Sequence, residues 1–189
     1  LLKNLDLKLV KVIDTHIHAD HITGLNELSK RTNCTKIMGE HSKSEVVDLK
    51  IKENEIIKIE NFELKALYTP GHTDCSYSFL MNDRVFTGDT LLINGTGRTD
   101  FQNGSAETQY DSLFNKLLKL PEKTIVYPAH DYNGKKFSTI GNEKKNNPRL
   151  QVNSLNQYIE MMDNLKLANP KMMDIAVPAN IKGVTLNQL

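Results

Sequence analysis

The first half of the chain alternates short apolar runs with turn residues, a pattern that predicts strands joined by tight turns. One apolar run predicts a buried strand over about 9–14, and Ile22, Leu25 and Leu28 then recur at the spacing of one helix face. Asn33 provides a stop for that helix. The later runs predict one short strand at 35–38 and two hairpins, 55–60 with 62–68 across Asn61, and 76–81 with 84–87 across Asn82-Asp83.

From Ser105 onward, the spacing of apolar residues changes to that of helices. Ser105 is a suitable N-cap, and Pro121 ends the helix that this residue begins. A short strand over 124–127 follows, and then helices over 139–146 and 154–165. Strands with helices between and after them predict a layered α/β architecture.

Size and charge narrow the class of protein. A chain of 189 residues fits one domain, which we expect to span residues 1–189. The net charge is only +1, so no basic face for nucleic acid is expected. No apolar run approaches the roughly 18 residues of a membrane span, so no membrane partner is expected either. The two cysteines, Cys34 and Cys75, cannot make a disulfide framework, and a reducing compartment fits best.

Metal-binding side chains are concentrated directly after the first predicted strand. They are His16, His18, Asp20 and His21. Histidine is the commonest metal ligand, and carboxylates complete sites for borderline and harder cations. Residues two apart in an extended segment point the same way, so His16 and His18 can face one cation, whereas Asp20 and His21 can face a neighbouring position. A chance polar loop would have to collect three of the six histidines in this window.

Three later turns each place one further metal-binding side chain at the end of a predicted strand. A Pro-Gly turn presents His72, a glycine permits the bend before Asp89, and His130 follows the strand at 124–127. A sheet brings such strand ends to a common edge. The sequence therefore predicts a site for one or two cations at that edge.

This arrangement resembles the metallo-β-lactamase superfamily, whose mark is His-x-His-x-Asp-His followed by a lone His, a lone Asp and a last His. The resemblance covers essentially the whole chain. It implies an α/β fold, an αββα sandwich with the metal at one edge. It also implies that this chain lacks the N-terminal strand pair that the family places before the first helix.

Within that superfamily the chain is most similar to the persulfide dioxygenases. The most telling stretch is Gly-Arg-Thr-Asp-Phe at 97–101, because glyoxalase II enzymes generally differ there. Two departures are visible: Asp74-Cys75 stands where the family often has Pro-Gly, and Thr96 where it often has Cys. The stretches that carry the resemblance are 15–24, 88–104, 127–132 and 176–180.

The resemblance implies one non-haem Fe(II) held by His16, His72 and Asp89, with three coordination positions left for chemistry. The implied substrates are glutathione persulfide and O₂, and the products are sulfite and glutathione. Arg98 is expected to bind a glutathione carboxylate or to brace its own loop. Tyr132, the other expected catalytic residue, either donates a hydrogen bond near the bound sulfur or packs. The residues expected to orient the ligands and tune the metal are His18, Asp20, His21 and His130.

Two other functions stay open. In a glyoxalase II-like hydroxyacylglutathione hydrolase, a dinuclear zinc or mixed-metal site would share Asp89, and a bridging hydroxide would attack the thioester. The stretch 97–101 and the short segment after His130 argue against it. The second open function is that of a catalytically silent module that binds a metal or carries a persulfide. The expected compartment is the cytoplasm, or the mitochondrial matrix in a eukaryote, and a homodimer is left open.

Overall fold

The computed structural model describes residues 2–168 and 170–188. Its strands are β1 Lys11–Ile13, β2 Thr35–Gly39, β3 Leu49–Ile51, β4 Ile56–Ile59, β5 Phe62–Tyr68, β6 Tyr77–Leu80, β7 Arg84–Gly88, β8 Leu91–Leu92, β9 Gly95–Thr96, β10 Ile125–Pro128 and β11 Ser138–Thr139. Its helices are α1 Leu25–Thr32, α2 Ala106–Asp111, α3 Ile140–Asn146, α4 Leu155–Asp163 and α5 Met173–Lys182. None of the helices in these residues is long and apolar enough to cross a membrane.

The larger sheet contains both predicted hairpins. Its strand order is β11-β10-β7-β6-β5-β4, with β10 and β7 parallel and the other neighbours antiparallel. The hairpin β4–β5 pairs Ile57 with Leu64, and the turn residue with positive φ is Glu60 rather than the predicted Asn61. Alternation along these strands therefore predicted both the strands and their partners.

The smaller sheet consists of β1, β2 and β3, all parallel. The prediction of a buried strand over 9–14 is wrong in length and in burial. The strand is only three residues long, all three are half-buried, and Val10 before it is 42 % exposed. The reason is that β1 lies at the edge of this sheet and pairs only with β2 in the described part of the chain.

The two sheets pack face to face, and helices cover both outer surfaces. Ile37 of the smaller sheet meets Ala66 and Phe79 of the larger one in the central core. On the outer face of the larger sheet, Val85 packs with α2 and α4. The core on the outer face of the smaller sheet contains Leu25 of α1 and includes contacts from α5. This helix–sheet–sheet–helix layering confirms the predicted αββα sandwich.

The predicted helix from Ser105 to Pro121 is present but irregular. The Ser105 hydroxyl accepts a hydrogen bond from the N–H of Thr108, as an N-cap should. Regular α-helix ends at Asp111, after which a π turn at 112–116 and a 3₁₀ turn at 117–119 complete the segment. The predicted helices at 139–146 and 154–165 are α3 and α4. Helix α5 was not predicted, because Pro178 inside it removes one backbone donor and signals a break.

Candidate metal centre

Four connections bring their metal-binding side chains to one edge of the sandwich. They are the loop after β1, the turn after β5, the end of β7 and the end of β10. We call His16, His72 and Asp89 the inner group, and His18, Asp20 and His21 the rim group. Within each group, one donor atom from every residue lies within 4.8 Å of the others. The structure thus places all six side chains as two adjacent candidate metal sites.

The inner group is compact enough to share one ion. The Nε2 atoms of His16 and His72 lie 3.8 and 3.5 Å from the same carboxylate oxygen of Asp89. Atoms that are each about 2.1 Å from one cation are at most about 4.2 Å apart, so both spacings suit a common ion. His16 and Asp89 are buried, at 1 % and 8 % exposure. Two imidazoles and one carboxylate form the donor set that non-haem Fe(II) takes.

Hydrogen bonds fix both imidazole rings of the inner group. The Nδ1 atom of His72 donates to the backbone carbonyl of Arg98 at 2.8 Å. Because a carbonyl only accepts, the proton is on Nδ1, and Nε2 keeps its lone pair for a metal. The Nδ1 atom of His16 lies 2.9 Å from the hydroxyl of Thr15. Burial, with the neighbouring imidazoles, lowers the pKa of His16 well below its usual range, so this ring is neutral and can bind a cation.

Gly97 packs directly against the inner group. A Cβ atom at this position would lie 2.1 Å from the backbone oxygen of Asp89 and 2.9 Å from the ring of His72. The N–H of Gly97 also donates to that Asp89 oxygen at 2.7 Å. Only a residue without a side chain allows this close approach.

The rim group is more open to water. The side chains of Asp20 and His21 are 46 % and 49 % exposed, and His21 Nδ1 lies 3.1 Å from Asp20. His18 is buried, and its Nδ1 has no hydrogen-bond partner among the described residues. Burial and the nearby His21 lower the pKa of His18 to about 4. A buried imidazole nitrogen without a partner is an atom that a second cation would satisfy.

His130 links the two groups. Its Nδ1 lies 2.8 Å from one oxygen of Asp89, and its Nε2 lies 3.0 Å from Asp20. The hydrogen bond with Asp89, assisted by the charge of Asp20, raises the pKa of His130 to about 9. Burial would raise the pKa of Asp89, but the His130 hydrogen bond and the surrounding imidazoles hold it well below its usual range. Without a metal, the ring is therefore an imidazolium between two carboxylates.

Asn180 of α5 holds the histidine-rich loop in place. Its side-chain amide donates to the carbonyls of His18 and His21, each at 2.9 Å, and accepts from the N–H of Thr23. The amide of Gln102 supports the same loop by donating to the carbonyl of Ile17 at 2.8 Å. The sequence assigned no role to Asn180, although it belongs to the Ala-Val-Pro-Ala-Asn stretch that carries the family resemblance.

A cavity of about 520 Å³ opens over the inner group, and His72, Asp89 and His130 contribute to its lining. Other described residues that line it are those of the hairpin β8–β9, Arg149, Leu167, Ala168 and Pro170. A cavity of this size suits a small organic ligand.

Arg98 lines the cavity, but its guanidinium is already engaged. Nε and Nη2 bind the carboxylate of Asp100 at 2.6 and 2.7 Å, and Nη1 donates to the carbonyl of Ala168 at 2.6 Å. It also lies 4.4 Å from the ring centre of Phe101. These contacts favour the bracing role, so the contact with a substrate carboxylate stays a prediction.

Tyr132 lies at the cavity mouth. Its ring is 82 % exposed and parallel to that of His130, with 6.0 Å between the ring centres. Most of the residue is open to solvent, so its packing is limited to this ring contact, and its hydrogen bond near the bound sulfur stays a prediction.

The fold and the metal-binding motif define a metallo-β-lactamase-like protein. A family model described as the metallo-beta-lactamase superfamily matches residues 2–49 and 39–130. A persulfide dioxygenase ETHE1, mitochondrial, from Mus musculus is 45 % identical over 185 residues, which cover 96 % of this chain and 72 % of that protein. The chain therefore belongs to the persulfide dioxygenase family of the metallo-β-lactamase superfamily.

The chain is also similar to a solved structure and to a hydrolase. The crystal structure of ETHE1 from Myxococcus xanthus has a TM-score of 0.93 and 46 % identity, and the match covers 95 % of this chain and 80 % of that one. A hydroxyacylglutathione hydrolase from Dictyostelium discoideum is 34 % identical over 152 residues, which cover 75 % of this chain and 56 % of the hydrolase. The dioxygenase match is thus closer and more extensive than this hydrolase match.

Proposed function

We propose that the chain oxidises glutathione persulfide with O₂ to sulfite and glutathione, using one Fe(II) bound by the inner group. The observation that carries this proposal is a largely buried set of two imidazoles and one carboxylate beside a substrate-sized cavity. One persulfide, one O₂ and one water give one glutathione, one sulfite and two protons. The two sulfur atoms together lose the electrons that O₂ gains, so no further reductant is needed.

The inner group has the ligand number of a catalytic iron site rather than that of a structural zinc site. Three protein ligands leave coordination positions open, whereas a structural zinc site is closed by four. Iron bound there supplies the redox chemistry of the reaction. Burial keeps the His16 imidazole neutral, and the Arg98 carbonyl fixes the orientation of the His72 ring. His130 orients the carboxylate of Asp89 and ties it to Asp20.

Arg149 is the better of the two cavity arginines for a substrate carboxylate. Its guanidinium donates only to Thr96 in the described part of the chain, at 2.5 and 3.1 Å, whereas Arg98 is paired with Asp100. Burial lowers the pKa of Arg149 because its positive charge is partly removed from water. A negatively charged ligand would therefore stabilise this cation. Glutathione carries two carboxylates, and either of them can supply this charge.

Tyr132 is proposed to donate a hydrogen bond near the persulfide sulfur.

Substitution separates the roles of the two arginines. Arg149→Ala is expected to raise KM for glutathione persulfide about tenfold with a smaller change in kcat, because it removes binding outside the reacting centre. Arg98→Ala is expected to raise KM more than it lowers kcat, and by less than Arg149→Ala. Steady-state oxygen uptake measures both. A fall in kcat alone for either variant contradicts a role in binding the carboxylate.

Hydrolysis of a glutathione thioester is the second candidate function. The rim group supplies the donors for a second cation, and His130 connects Asp20 of that group to Asp89 of the inner group. In that reaction two metals would activate a hydroxide for attack on the thioester carbonyl. Zinc or a mixed pair of metals is the expected content in this case.

Side-by-side assays test the two functions. Protein purified without added metal is analysed for metals and then assayed for O₂ consumption with glutathione persulfide and for hydrolysis of S-lactoylglutathione. The proposal expects about one iron per chain, persulfide-dependent O₂ uptake and sulfite as product. Two zinc ions per chain with fast thioester hydrolysis would contradict it.

The cytoplasm or the mitochondrial matrix stays the proposed compartment, and a homodimer the proposed assembly.

A further inference from the structure

Glu143 of α3 is a fully buried carboxylate that has no part in the chemistry proposed above. Its hydrogen-bond partners in the described part of the chain are four neutral donors. They are the hydroxyl of Ser138, the side-chain amides of Asn142 and Asn147, and the backbone N–H of Asn94. A carboxylate removed from water is costly unless its lone pairs are satisfied. The arrangement of these donors is therefore closely specified.

Two of these donors connect Glu143 to the wall of the cavity. The N–H of Asn94, in the turn between β8 and β9, donates to Oε2 at 2.8 Å. The amide of Asn147 donates to the same oxygen at 2.8 Å and also reaches the carbonyls of Gly95 at 2.9 Å and Leu92 at 3.4 Å. This turn lines the cavity. Glu143 and Asn147 thus hold the hairpin on both sides of its turn.

The same hairpin leads into the inner group. Directly after β9, Gly97 donates to the backbone of Asp89, and the carbonyl of Arg98 accepts from His72. Asn147 also accepts from the N–H of Arg149 at 3.0 Å, which places the proposed carboxylate-binding residue. A displacement of the hairpin would therefore change the wall of the cavity and move the Arg98 carbonyl that orients the His72 ring.

We propose that Glu143 is a positioning residue for this reaction. Its carboxylate fixes the hairpin 91–96, and through the hairpin it fixes the shape of the cavity and the hydrogen bond that orients His72. The inference rests on the proposed function for the identity of the substrate, but not for the effect on metal retention.

Glu143→Gln tests this role because it keeps the side-chain shape and replaces one acceptor oxygen with an NH₂ group that faces donors. The matched control is Glu122→Gln, since the Glu122 side chain is 77 % exposed. For Glu143→Gln we expect KM for glutathione persulfide to rise about tenfold, with kcat within about threefold of the unsubstituted protein. We expect release of iron to a chelator to be about tenfold faster, as for loss of other groups that orient ligands. Glu122→Gln should change none of these.

Two further measurements separate positioning from simple stabilisation. The Kd of glutathione for the iron-loaded protein, measured by calorimetry, should rise about tenfold in Glu143→Gln without any turnover. Asn147→Ala, which removes the donor to the hairpin carbonyls, should shift KM, Kd and iron release in the same direction, and it decides the question if Glu143→Gln fails to fold.

The inference is overturned if these variants lower only the melting temperature and keep the KM, Kd and iron-release rate of the unsubstituted protein. If the unsubstituted protein shows no oxygen uptake with glutathione persulfide, the proposed function fails instead. Iron release from Glu143→Gln then still tests the positioning role.

Discussion

The inner group and the rim group contain the same kinds of ligand in different surroundings. In the inner group, His16 is 1 % exposed and the His72 ring is fixed by a backbone carbonyl. In the rim group, nearly half of the Asp20 and His21 side chains is exposed. Metal affinity depends on ligands that are already oriented and on a shell that excludes water. The comparison teaches that ligand identity alone does not make two equal sites, and that the first ion should bind to the inner group.

The largest effect is expected from removing an inner-group imidazole. His72→Ala should abolish iron binding and persulfide-dependent oxygen uptake, because two ligands cannot form the three-ligand face that leaves the other positions open. Elemental analysis and an oxygen electrode measure this, with His41→Ala as the control, since His41 is an exposed histidine outside both groups. Retained iron with full turnover would remove His72 from the ligand set.

A smaller effect is expected from the residue that joins the two groups. His130→Gln removes the imidazolium between Asp89 and Asp20 and should weaken iron binding by about ten- to a hundredfold, as other residues that orient metal ligands do. Competition with a chelator gives the affinity. An unchanged affinity would show that Asp89 keeps its orientation without His130.

The rim group should respond least. His21→Ala is expected to leave about one iron per chain and to lower oxygen uptake by no more than about threefold, because this exposed side chain contacts the rim carboxylate and not the inner group. Metal analysis and initial rates are the measurements. Loss of half of the bound metal together with activity would instead show that the two groups act as one dinuclear site.

The pH dependence of the metal-free protein contrasts His18 with His130. The pKa of His18 falls from 6.5 to about 4 on folding, so its contribution to stability is lost as the pH drops through that window. The pKa of His130 rises from 6.5 to about 9, so its contribution is present below pH 6.5 and is lost as the pH rises toward 9. Taken together, these two histidines place the highest stability near pH 6.5.

Melting temperatures of the metal-free protein between pH 4 and 9 test this dependence. The decline on the alkaline side should amount to about 5 °C and should be absent in His130→Gln. An equal decline in the variant would assign it to other groups.

The sequence predicted most of the fold because local patterns specify it. The hairpins β4–β5 and β6–β7 follow from alternation and turn residues, and the Ser105 cap from residue type. It also predicted which strand ends would carry metal-binding side chains, and the structure brings those side chains together. Their roles at the metal stay predictions.

What the sequence did not reveal depends on distant contacts. Asn180 supports His18 from 162 positions along the chain, and no local pattern records such a bond. The hydrogen bond from Arg98 to the carbonyl of Ala168 is likewise a tertiary contact. Together with the local ion pair to Asp100, it shifts the expected substrate contact toward Arg149. The strand β1 is more exposed than its apolar run suggested, because its position at the sheet edge was not encoded locally.

Gly97 offers a route to an inactive form that leaves every proposed ligand in the sequence. A single methyl group at that position would clash with the ring of His72 and with the backbone of Asp89. Because Gly97 also lines the cavity, the same methyl group would alter the cavity wall. An alanine at 97 would therefore disturb the arrangement of the inner group while all of its donor atoms remain, which truncating a ligand does not do.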